Sequence, residues 1–71
     1  MNIGDRVRTT PEWTSQWGTK PLFGHVREMR DRGPINPERT VKVVLSEESR
    51  GEIGRGISTL WFAPRDLLVI G

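Results

Sequence analysis

Few residues in this chain could do covalent chemistry. His25 is the sole histidine, and cysteine is absent. A serine–histidine–acid arrangement would have to join His25 to Ser15, Ser46, Ser49 or Ser58, and no local motif supports any of these pairings. A metal centre would need carboxylates around a single imidazole, and the adjacent pair Glu47-Glu48 would face opposite ways on a strand. Gly51-Glu52-Ile53-Gly54-Arg55-Gly56 has the glycine spacing of a dinucleotide fingerprint written backwards. It lacks the Lys-Ser/Thr ending of a phosphate loop, and Glu52 would repel a phosphate. The residues therefore predict no catalytic group, no metal and no cofactor.

Recognition is better supplied. Three tryptophans in 71 residues is a high density for the side chain most enriched in binding hot spots. Trp13 and Trp17 fall in Pro11-Glu12-Trp13-Thr14-Ser15-Gln16-Trp17-Gly18, and Trp61 lies between Leu60 and Phe62. If Leu60 and Phe62 point inward, Trp61 points out. Trp13, Trp17 and Trp61, flanked by Arg8 and Arg65, then form a shallow amphipathic surface suited to a protein or peptide partner. One of Trp13 and Trp17 can instead anchor its long loop to the core. A second reading assigns the indoles to base stacking and Arg6, Arg8, Arg27 and Arg30 to phosphates.

The elements that must position these residues are short. Eight glycines and five prolines punctuate the chain, which disfavours long helices. The pattern predicts a first strand over 5–9, with Val7 and Thr9 inward and Arg6 and Arg8 outward. A long loop over 10–21 follows. A second strand over 22–30 carries Leu22, Gly24 and Val26 on one side, His25 on the other, and a bulge between Val26 and Met29. Asp31 to Pro37 reads as a hairpin tip. The third strand over 40–46 aligns Val41, Val43 and Leu45, and 47–55 reads as a mobile polar loop. The fourth strand over 56–62 aligns Ser58, Leu60 and Phe62. Pro64-Arg65-Asp66 makes a 3₁₀ turn before a last strand over 67–70. The expected core is Val7, Val26, Val41, Val43, Leu45, Leu60, Phe62, Leu67 and Val69. The expected fold is all-β: one domain over 1–71, a five-stranded SH3-like barrel with a long first loop.

The two ends carry a resemblance. Phe62-Ala63-Pro64-Arg65-Asp66-Leu67 resembles the closing segment of small barrels that accompany electron-transport complexes, among them the small stromal subunit of photosystem I and the variable chain of ferredoxin–thioredoxin reductase. Ile3-Gly4-Asp5-Arg6-Val7-Arg8 resembles the opening of the barrel in the nitrile hydratase β subunit. These resemblances imply an SH3-like barrel and a subunit accessory to a larger enzyme. The opening is also similar to type II dihydrofolate reductase, but the Val-Gln-Ile-Tyr run of that enzyme has no counterpart in Ser58-Thr59-Leu60-Trp61.

Composition narrows the partner classes. The formal charge is +2, from 11 basic and 9 acidic residues. Arg27, Arg30, Arg32 and Arg39 alternate with Glu28, Asp31 and Glu38, the pattern of a mixed solvated surface. No apolar run is long enough to span a membrane, and the N-terminus lacks a signal-peptide pattern. The absence of cysteine fits a cytoplasmic location. A core this small favours self-association, so a homo-oligomer is among the expectations. The sequence thus predicts a non-catalytic interaction module, with nucleic-acid binding and an accessory-subunit role as alternatives.

Overall fold

The computed structural model describes residues 1–54 and 56–71. It is mostly β, with five antiparallel strands in a single sheet, two short helices and a 3₁₀ turn. In chain order these are β1 (Arg6–Thr9), α1 (Pro11–Trp17), β2 (Phe23–Met29), β3 (Val41–Leu45), α2 (Glu47–Ile53), β4 (Thr59–Phe62), the 3₁₀ turn (Pro64–Asp66) and β5 (Leu67–Val69). The strands lie in the order β4-β3-β2-β1-β5, so the last strand crosses back to pair with the first.

The N-terminal turn feeds β1 as the sequence predicts. Asp5 N–H donates to Asn2 O at 3.1 Å, and Gly4 N–H donates to Val26 O at 2.7 Å. Gly24 pairs with Leu45 of β3. A Cβ there would lie 2.2 Å from Val44 O, so only glycine fits. The register shifts between Val26 and Glu28, which is the expected bulge.

The core lies on the inner side of the sheet, under α1. Val7, Val26, Val41, Val43, Leu45, Phe62 and Leu67 are buried as expected, joined by Trp13, Leu22 and Ala63. Leu60 is only half-buried and packs against this cluster. Val69 departs from expectation. It pairs with Val7 in register but is 51% exposed, on a strand at the edge of the sheet. Ser58 precedes β4 and is exposed rather than aligned with Leu60.

Two expected loops are helical, so the fold is not all-β. In the first, Thr10 Oγ1 accepts from Trp13 N–H at 3.2 Å, Pro11 opens the helix, Glu12 lies in its first turn, and Gly18 closes it at φ 67°. This is a complete set of start and stop signals. In the second, Ser46 O accepts from Ser49 N–H at 3.0 Å and from Arg50 N–H at 3.2 Å, and Glu47 and Glu48 lie in the first turn. Ser49 is buried, and its hydroxyl accepts from Phe23 N–H at 2.9 Å, which docks α2 on the end of β2. Arg55, the last residue of that expected loop, lies outside the described residues.

Candidate functional site

α1 places Trp13 and Trp17 four residues apart, on one face of the helix. Their rings stack at 5.9 Å between centroids. Trp13 is 8% exposed and meets the edge of Phe62 at 5.3 Å, so it is the anchor. Trp17 is 53% exposed. The two indoles therefore divide the alternatives that the sequence left open: one holds α1 to the core, and the other faces solvent.

Trp61 borders the same cleft from β4. It is half-buried, outside the core, and opposite Lys42 in register, which fits its expected outward direction. Arg30 and Lys42 lie over its ring at 5.3 and 6.0 Å. With Leu60, Phe62 and Ile53, the three tryptophans line a cleft of about 120 Å³. Trp13 and Trp17 also line an adjoining polar compartment of about 160 Å³, shared with Asn36, Glu38 and Arg65. Arg39 and Asp66 border both spaces.

The polar compartment is walled by the 30–40 connection. Gly33 is required there, since a Cβ would lie 2.1 Å from both Asn36 O and Arg39 O. Asn36 Oδ1 accepts from Glu38 N–H at 3.0 Å, and Asn36 O accepts from Arg39 N–H at 2.9 Å. Arg39 thereby lies 5.8 Å from the Trp17 ring centroid. Arg65 Nη2 donates to Glu38 Oε2 at 2.9 Å, joining the connection to the 3₁₀ turn. That carboxylate raises the Arg65 pKa further above its ordinary value, first through the hydrogen bond and then through its charge.

Of the five residues predicted for the recognition surface, the structure gathers Trp13, Trp17, Trp61 and Arg65. Arg8 is elsewhere: it lies over Phe23 at 5.6 Å, and its Nε donates to Thr9 O. Arg6, Arg8, Arg27 and Arg30 do not form one surface with the indoles. Arg30 reaches Trp61 and is paired with Glu28, Arg27 is exposed beside the bulge, and Arg6 lies opposite His25. Asn36, Glu38 and Arg39 were missed as site residues. Their only sequence signal was their place in a turn-rich tip. Among the described residues, no group of three or more His, Cys, Asp or Glu is placed to hold a metal ion.

The class of object is thus a small, mostly β domain with an aromatic cleft at one edge of its sheet. No protein-family model, curated protein or solved structure matches the chain. Among the described residues, no helix is long and apolar enough to cross a membrane.

Proposed function

We propose that this chain is a non-catalytic interaction module of the SH3-like barrel type, which binds an extended peptide segment of a partner protein in the aromatic cleft. The barrel reading is supported by the strand order β4-β3-β2-β1-β5 and by the 3₁₀ turn linking the two edge strands. The observation that carries the functional reading is the convergence of Trp13, Trp17 and Trp61 on one cleft, with Trp17 left largely in solvent. The size of the site favours a peptide. Pockets for small molecules usually run to roughly 300–1,000 Å³. Here two joined compartments of about 120 and 160 Å³ suit successive side chains of an extended chain. The apolar compartment takes an aliphatic or aromatic side chain, and Arg39 and Asp66 offer hydrogen bonds to its backbone. We assign this activity to the cytoplasm, and the partner can be a larger enzyme to which the module is accessory. Nucleic acid has less support at this cleft, because Glu38 and Asp66 line it and Glu28 pairs with Arg30.

The test is selection of binders from a displayed random peptide library, followed by titration of the selected peptide. Trp61→Ala and Trp17→Ala should each weaken binding by about 2 kcal/mol, nearly equally at low and high salt. Failure to select any peptide, or affinity unchanged in both variants, would refute the assignment. Binding of a single-stranded oligonucleotide through these tryptophans, lost steeply with salt, would replace it with the nucleic-acid reading.

A further inference from the structure

The outer face of the sheet holds a second concavity, lined by none of the tryptophans. Register places Arg6, His25 and Val44 side by side across β1, β2 and β3. Adjacent strands are about 4.8 Å apart, so these three side chains form one row. The row opens into a concavity of about 440 Å³, lined also by Phe23 and Ile70. Arg50 enters from α2, where its Nε donates to Leu45 O at 3.2 Å and so holds the side chain against the end of β3. Two arginines and a histidine thus border one space, and no acidic side chain lines it. Among the described residues the ion pairs are Arg30–Glu28 and Arg65–Glu38, so neither Arg6 nor Arg50 makes an ion pair with a carboxylate.

We infer that this concavity binds a small organic phosphomonoester. The phosphate sits on Arg6 and Arg50, with His25 donating beside them, and the uncharged part packs on Phe23, Val44 and Ile70. Guanidinium groups match phosphate oxygens through paired hydrogen bonds, and the partly apolar walls reward a ligand that is more than a bare oxyanion. A volume of about 440 Å³ falls in the usual range for small-molecule sites. The neighbouring residues argue against a polyanion. Glu47 and Glu48 line the adjoining surface with Arg6 and Phe23, so a nucleic-acid strand continuing past the arginines would meet two carboxylates. A compact ligand avoids them.

Adenosine monophosphate, adenosine and inorganic phosphate serve as probes in amide chemical-shift titrations of the whole chain. The nucleotide should shift Gly24, His25 and Val44 and saturate at millimolar concentration or below. Arg6→Gln should weaken it about tenfold. Arg50→Gln should do the same, and Arg50→Lys, which keeps the charge, should retain part of the affinity. Trp17→Ala should leave the titration unchanged, which separates this site from the peptide cleft. His25→Gln lies on an exposed position and provides a variant whose folding is not at issue; a several-fold loss is expected. Absence of shifts, equal affinity for inorganic phosphate and the nucleotide, or indifference to Arg6→Gln and His25→Gln would each overturn the inference. Tighter, steeply salt-dependent binding of an oligonucleotide at the same amides would also overturn it.

Discussion

Trp13 and Trp17 occupy one face of the same helix, yet they should behave oppositely on truncation. Trp13 closes the core against Phe62, so Trp13→Ala should cost about 3–5 kcal/mol in urea unfolding. Trp17 is largely in solvent, so Trp17→Ala should stay within about 1 kcal/mol of the parent. Similar losses from both would mean that Trp17 is structural. The same contrast separates Val43 from Val69. Val43→Ala should cost about 1–3 kcal/mol, and Val69→Thr should be nearly neutral. The alternation around Lys42 made Val41, Val43 and Leu45 legible as core. Alternation also puts Val69 on the inward side, but it reports only a side chain's face, not whether anything covers that face. The anchor role of Trp13 was legible only as one of two options, since helical phase must be known before the indoles can be told apart.

At the scale of elements, the strands and the 3₁₀ turn were legible and the helices were not. Thr10-Pro11-Glu12 followed by Gly18 is a strong helix signal, but the run is seven residues long and carries no apolar periodicity beyond its two tryptophans. In 47–53 Gly51, with Gly54 just beyond, masked the start signal at Ser46-Glu47-Glu48. The physical content of that second helix is its docking through Ser49. Ser49→Ala leaves Phe23 N–H without its partner and should cost about 1–3 kcal/mol. Hydrogen exchange would localise the loss to α2 and the Phe23 amide. Unchanged protection there would show that α2 is held by other contacts. The 30–40 connection is tested at Gly33, where a methyl group would collide with two carbonyl oxygens. Gly33→Ala should displace Asn36, Glu38 and Arg39 and weaken peptide binding, while the amides of β1 and β5 keep their shifts.

On the scale of the whole molecule, the domain carries two surfaces of different character. The cleft lies where α1, the 30–40 connection and β4 meet, and its charges are balanced by Glu38 and Asp66. The outer concavity lies across β1, β2 and β3 and is cationic. Sequence could not separate them, because Arg6 and Arg8 stand near Trp13 in the chain while β1 turns those arginines away from it. Only the crossing of β5 onto β1 settles which strands are edges, and that pairing is long-range.

Thr9 has a consequence for how such a domain can be altered. Its backbone N–H donates to Leu22 O at 3.0 Å, and its buried hydroxyl accepts from Leu22 N–H at 3.0 Å. The chain from 10 to 21 therefore leaves the sheet and returns to it at one doubly tied point. An excursion stapled at its base is a cassette, because the cost of closing it depends only weakly on how long it is. Foreign segments grafted between Thr9 and Leu22 should be accepted by the remaining strands, provided each brings one large apolar side chain to replace Trp13. Recognition could then be rewritten by exchanging a dozen or so residues while the sheet stays as it is.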